Sequence, residues 1–173
     1  MVKVLYNGKV VVQVKRKAKS MSGVLKGLMI VFGTLFVIMG IVLSRAFMLP
    51  GFLLVLLYFV YDVFSCKDYQ YTLEGNVFTI DVIYGKRYRK TKHELDMNEL
   101  EVVAPNRHEA VTKYRKKEGS IRLSKYDYTS YDDNIPYYTM ITMEDGQKIK
   151  LLLDLNDELI QALKRLSPGK VFA

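Results

Sequence analysis

Two nearly uninterrupted apolar runs lie close together and constrain this chain more than any other feature. Gly27–Leu43 reads GLMIVFGTLFVIMGIVL, with Thr34 its only polar side chain. Ala46–Tyr61 reads AFMLPGFLLVLLYFVY, polar only at its tyrosine hydroxyls. A helix rises 1.5 Å per residue, so each run approaches the ~17–20 residues that cross ~30 Å of hydrocarbon. Buried helices of a soluble bundle usually break their apolar character on one face, and neither run does. The runs therefore predict a transmembrane hairpin within residues 24–65, with spans at about 25–43 and 46–64. A signal peptide fits less well: the charged segment before the first run is long, no small-x-small cleavage site follows it, and a second run comes directly after.

The charge distribution gives the hairpin a direction. The 173 residues carry 26 Lys+Arg against 18 Asp+Glu, a net charge of +8. Lys3, Lys9, Lys15, Arg16, Lys17, Lys19 and Lys26 precede the first run with no acidic residue among them, whereas residues 66–173 are close to balance. A nucleic-acid-binding domain spreads its excess charge along a face, so no nucleic-acid partner is expected. Lys67 follows the second run, and the turn between the runs carries Arg45 alone. The positive-inside rule then places both termini in the cytoplasm and Ser44–Leu49 outside. Pro50 suits the first turn of the second span, where its missing N–H costs nothing. The single cysteine, Cys66, excludes an intramolecular disulfide and a Cys-rich zinc site.

Within the spans, Asp62 is the one acidic residue. An intramembrane carboxylate can mark an ion or proton path. Near the cytoplasmic end of its span, it can instead reach the headgroups or pair with Lys26, which is the cheaper arrangement. Gly33 and Gly40 share a face of the first span and would admit close approach of the second.

Residues 1–23 form a basic arm. Asn7-Gly8 between alternating valines, Val2/Val4 and Val10/Val12/Val14, signals a type I′ β-hairpin. A basic amphipathic helix on the bilayer is the alternative, against which the β-branched run argues. The juxtamembrane residues Lys15, Arg16, Lys17 and Lys19 gain ~1 kcal/mol per charge from an anionic leaflet, and a role in setting topology accounts for them.

Beyond Asp68 the pattern changes to period two. Strands are predicted at 69–73, 77–84, 87–95, 100–104, 121–123, 137–143 and 147–153, with turns at Glu74-Gly75-Asn76, Tyr84-Gly85-Lys86 and Glu144-Asp145-Gly146. Phe78, Ile80 and Val82 share one face, as do Ile149, Leu151 and Leu153. Residues 105–119 read as a loop with a helical turn around Glu109–Lys113. Asn156 caps a last helix, with Asp157 and Glu158 in its first turn, Lys164 and Arg165 in its last, and Leu159, Ile160, Leu163 and Leu166 as its apolar stripe.

Residues 67–173 thus predict a mainly-β cytoplasmic domain of about seven antiparallel strands and a C-terminal helix. In YQYTLEGNVFTIDVIYGKRYRK (69–90), LDMNELEVVAP (95–105) and ITMEDGQKIKLLLDLNDELIQALKRLSP (141–168), this layout resembles a bacterial PH-like domain. That resemblance implies a bent seven-stranded antiparallel barrel capped by the helix. The order of arm, transmembrane hairpin and domain is similar to a family of uncharacterised small membrane proteins of Gram-positive anaerobes, which implies a place in the bacterial inner membrane and no particular activity. The Tyr-rich segment with Tyr126, Tyr128, Tyr131, Tyr137 and Tyr138 is a departure from it.

The signatures of chemistry are missing from the sequence. His93, His108 and Cys66 are scattered, and there is no Gly-rich phosphate loop, GxSxG or HExxH. His93 alternates with Arg87, Arg89 and Thr91, which suggests a solvated strand face. No enzymatic role and no cofactor are expected. Two basic clusters remain, Lys86–Lys92 at a turn and Lys113–Lys117 in the long loop. Ordinary solvated charge explains both. Tethered beside the bilayer, however, Lys86, Arg87, Arg89 and Lys90 would also meet anionic headgroups. The expected function is a membrane-anchored binding or scaffold protein whose partners are the lipid bilayer, another protein or a second copy of the chain. The alternative is an accessory subunit of a membrane transport complex, assembled through the hairpin.

Overall fold

Continuous apolar sequence here becomes two helices, α1 (Ser20–Val42) and α2 (Met48–Ser65), joined through a short 3-10 turn at Arg45–Phe47. The computed structural model describes residues 2–6, 9–17, 20–65, 67–85, 88–114 and 123–172. Both helices are long and apolar enough to cross a membrane, and only 11% and 6% of their apolar windows are buried. A helix in a soluble core hides most of its surface, so this exposure sets the pair apart from such helices.

Small residues let α1 and α2 approach. A Cβ at Gly40 would lie 2.9 Å from the Met48 backbone nitrogen, and one at Gly33 would touch Val55 and Leu54. The expectation for Gly33 and Gly40 holds, and α2 contributes a third such site. A Cβ at Gly51 would meet Val37 at 2.9 Å.

The chain divides into two units, Lys17–Lys67 with Tyr84–Tyr88, and Met1–Arg16 with Asp68–Ile83 and Arg89–Ala173. The second unit is built on two sheets. One has the order β1 (Val2–Tyr6), β2 (Lys9–Lys15), β3 (Lys67–Glu74), β4 (Val77–Tyr84) and β5 (Tyr88–Asp96). The other has β6 (Leu100–Pro105) next to β8 (Tyr138–Glu144), then β9 (Gln147–Leu153) and β7 (Ser124–Asp127) at its margin. A single turn of helix, α3 (Glu109–Thr112), follows β6, and α4 (Asp157–Leu166) follows β9.

This architecture differs from the expected barrel in three respects. The strands form two sheets of five and four rather than one closed seven-stranded barrel. The additional strands come from the arm: β1 and β2 pair antiparallel, and β2 pairs with β3 from Lys9↔Glu74 to Lys15↔Asp68. Val12 and Val14 are both 2% exposed, and α4 lies against β2. A boundary at residue 67 therefore cuts through a sheet. The Asn7-Gly8 turn itself lies outside the described residues. Finally, residues 121 and 122 of the strand expected at 121–123 lie outside the described residues, and the strand described next, Ser124–Asp127, runs parallel to β9. A strand reached by a long connection is free of the hairpin constraint that makes neighbours antiparallel.

The core follows the alternation. Phe78, Ile80, Val82, Ile149, Leu151 and Leu153 are all buried, as their period-two spacing requires. Asn156 caps α4 by accepting from the Leu159 N–H at 3.0 Å. Leu159, Ile160 and Leu163 are buried, whereas Leu166 is exposed, so the apolar stripe ends one turn early. After α4 the tail bonds to β6, with the Val103 N–H donating to Lys170 and the Phe172 N–H to Val103, both at 2.8 Å. The outer edge of β6 is thereby covered, and β7 is left as the terminal strand of its sheet.

Candidate functional site

The β4–β5 turn belongs to the same unit as α1 and α2. Gly85 adopts φ +54°, and a Cβ there would come within 3.2 Å of the Val63 side chain. The positive φ favours glycine, since a side chain would strain the backbone, and a Cβ would also force the Val63 side chain to give by a few tenths of an ångström. The ring of Tyr84 meets Phe64 edge-on at 6.0 Å and lies 6.1 Å from the ring of Tyr88. The Lys67 ammonium stands 5.6 Å from the Tyr84 ring centre, within cation–π range.

The four basic residues assigned to this turn have different surroundings. Lys86 and Arg87 lie outside the described residues. Arg89 donates to the Gln70 side-chain oxygen at 2.6 Å and stands 3.8 Å from Asp81. Asp81 is buried and also accepts from the Thr91 hydroxyl at 2.8 Å. Arg89 therefore has a structural duty, whereas Lys90 is exposed.

Among the basic residues expected beside the membrane, Lys15 and Lys17 are exposed and Lys19 lies outside the described residues. Arg16 is held by aromatic groups. It donates to the Tyr69 hydroxyl, and its guanidinium covers the Tyr131 ring at 3.9 Å. Tyr131 adopts φ +59°, a conformation that non-glycine residues rarely take. Asp62 takes the pairing arrangement, with Lys26 donating to its carboxylate at 2.5 Å.

The Tyr-rich segment surrounds a cleft of about 580 Å³ in the β unit, with Lys125 and Asp127 of β7 on one side and Tyr131 and Tyr137 on another. Asp154 lies at its floor, 1% exposed. Burial pushes its carboxyl above the usual range, and Asp127 and Asp132 add to the rise against the opposing hydrogen bond from Ser130. Behind the cleft, the Tyr71 hydroxyl donates to the Tyr128 carbonyl at 2.7 Å.

His93 departs from expectation. It is 5% exposed, with Nδ1 at 2.8 Å from both Glu144 carboxylate oxygens and Nε2 at 2.7 Å from the Tyr128 hydroxyl. The Glu144 contact joins β5 of one sheet to β8 of the other. The signal was in the sequence: His93 has the same strand parity as Leu95, which is also buried. That one face of β5 turns from solvent to core along its length. Tyr128 could not be found in this way, because it lies just past β7, a strand too short to show a period. Among the described residues no three His, Cys, Asp or Glu side chains converge as metal ligands would.

Residues 10–173 match the family described as Bacterial PH-like domain (DUF6106). The chain belongs to this family. The match begins inside β2, so the PH-like unit takes in the arm strand and the two apolar helices together with β3–β9. No curated protein and no solved structure matches the chain.

Proposed function

We propose that this PH-like protein is a membrane-anchored, non-enzymatic binding module of the bacterial inner membrane. In this reading α1 and α2 span the bilayer, both termini are cytoplasmic, and the β4–β5 turn contacts the anionic leaflet. The observation that carries it is the seat of that turn against Val63, two residues before the end of α2. In this reading the basic residues of the turn meet the anionic leaflet, where each charge near the surface gains ~1 kcal/mol. The β2–β3 pairing supports the two-span topology. It joins residues before α1 to residues after α2 in one sheet, so the helices must return the chain to the side it left.

Hydrogen exchange of the full chain in nanodiscs tests the leaflet contact. Exchange across residues 84–92 should be slower in anionic than in neutral lipid at low salt. The difference should fade with added salt, as the Debye length falls from ~10 Å at 0.1 M to ~3 Å at 1 M. It should also disappear when Lys86, Arg87 and Lys90 are changed to Gln. Equal exchange in both lipids would overturn the reading.

A second reading, docking of a partner protein, is favoured by the cleft beside the terminal strand β7. An exposed sheet edge next to a pocket is a common peptide-binding arrangement, and PH-like domains often bind lipids or proteins. Purification in mild detergent separates the readings. Stoichiometric membrane subunits would favour an accessory role in a transport complex, and a monomer would favour the leaflet reading.

A further inference from the structure

The aromatic side chains of the β4–β5 turn are placed to act on the membrane independently of its charge. Three observations fix their depth. The helix α2 has 18 residues and is about 27 Å long at 1.5 Å per residue, slightly less than the ~30 Å hydrocarbon core. Its C-terminal end therefore cannot project far beyond the core boundary. Val63 lies two residues from that end, about 3 Å along the axis, and Gly85 abuts it. The Lys26–Asp62 ion pair, next to Val63 in sequence, lies at the same level. A charged pair is stable at the headgroup boundary and costly in the core, so it marks the boundary independently of the helix length.

At this level the turn presents tyrosines. Tyr84 is braced by Phe64 and Lys67. Tyr88 stands beside it and is 62% exposed. In water such exposure of a phenol ring has little consequence. At the edge of a bilayer, Tyr is among the residues that partition best, with its apolar ring against the acyl chains and its hydroxyl among the headgroups. Val63 and Phe64 beside it are also exposed, at 47% and 58%, so the apolar surface of α2 continues onto the turn.

We propose that Tyr88, supported by Tyr84 and Phe64, is an interfacial membrane anchor that seats the β4–β5 turn in the cytoplasmic headgroup layer of a lipid bilayer. This rests on the spanning of the membrane by α1 and α2 and is independent of the attraction to anionic lipid. The anchor holds in a neutral bilayer, where the basic residues gain nothing. Gly85 is its point of contact with α2, where the positive φ favours glycine and leaves the turn close to Val63.

The chain contains no tryptophan, so Tyr88→Trp gives a fluorophore without background. The full chain carrying this change is reconstituted in phosphatidylcholine vesicles. Its emission should be blue-shifted from that of tryptophan in water. It should lose most of its intensity to lipid brominated high on the acyl chain, less to lipid brominated near the chain end, and little to aqueous iodide. A water-like spectrum, quenched by iodide and unaffected by bromolipid, would overturn the proposal. So would a blue shift seen only in anionic vesicles, since charge and not the ring would then seat the turn. An unmodified chain guards against a local disturbance by tryptophan: its Gly85 amide should broaden in neutral lipid carrying a headgroup nitroxide, and an unbroadened amide would count against the anchor. Loss of the anionic-lipid effect in hydrogen exchange, with the neutral-lipid quenching intact, would remove the leaflet reading and leave this one.

Discussion

Replacing Val12 and Val14 together by Ala tests whether the arm is structurally part of the β unit. Both side chains are 2% exposed on the face of β2 that looks into the core. Each change removes about two methylene equivalents, worth ~0.8 kcal/mol apiece, so the pair loses about 3 kcal/mol of transfer free energy. Incomplete closure of the cavities adds to this. For a unit of this size the loss corresponds to a drop in melting midpoint of about 10 °C. The assay is thermal unfolding of the full chain in detergent, followed by near-ultraviolet circular dichroism of the tyrosines, most of which lie in the β unit. Lys9→Ala is the control. It breaks an ion pair with Glu74 at 2.7 Å whose partners are 39% and 67% exposed, and such surface pairs contribute ~0–1 kcal/mol. A double variant that melts no lower than Lys9→Ala would refute the placement of β2 in the core.

Two further outcomes follow from the geometry. Gly40→Val places a side chain where a Cβ alone meets Met48, so it should cost about 1–3 kcal/mol by overpacking and widen the α1–α2 spacing in spin-label distance measurements; an unchanged distance distribution would contradict the close approach. Asp154→Asn keeps an acceptor for the Ser130 N–H and removes a buried charge. Because the folded state raises this carboxyl, the wild type loses stability as the pH rises through the raised value and regains it on acidification toward the ordinary carboxylate range. The variant should therefore melt higher than the wild type at pH 7, with the gap narrowing on acidification, and a constant gap would show that Asp154 does not titrate as described.

The sequence made the helices and most of the strands legible because their signals are local. Apolar length defines α1 and α2, parity defines the buried faces of β4 and β9, and the Asn156 cap defines the start of α4. The pairing of β2 with β3 was not legible, because no local pattern says that residues 9–15 should find residues 68–74 across two intervening helices. The role of Arg16 was concealed for a similar reason. Read beside Lys15 and Lys17 it is one charge in a basic run, and only the fold brings Tyr69 and Tyr131 to it. The Tyr-rich segment carries no period because its residues serve separate ends. Tyr128 meets the buried His93, Tyr131 meets Arg16, and Tyr137 lines the cleft. The turn at Gly85 gave a turn signal and nothing about its contact with Val63.

The pairing of β2 with β3 also has a consequence for how the chain is made. Synthesis proceeds from the N-terminus, so β1 and β2 leave the ribosome first, before either apolar helix and well before β3. An isolated two-stranded hairpin is marginal in water, and the face of β2 that carries Val12 and Val14 has nothing to pack on at that stage. The hairpin must wait while two helices are made, and it is completed only by strands arriving afterwards. The loop to be closed, from Lys15 to Asp68, is then no longer a floppy chain of that length. Once α1 has packed on α2, much of the segment between Lys15 and Asp68 is ordered helix, so part of the closure entropy has already been spent by helix pairing. The helical hairpin is in this sense a folding template for the sheet, and the pairing of β2 with β3 is downstream of helix pairing.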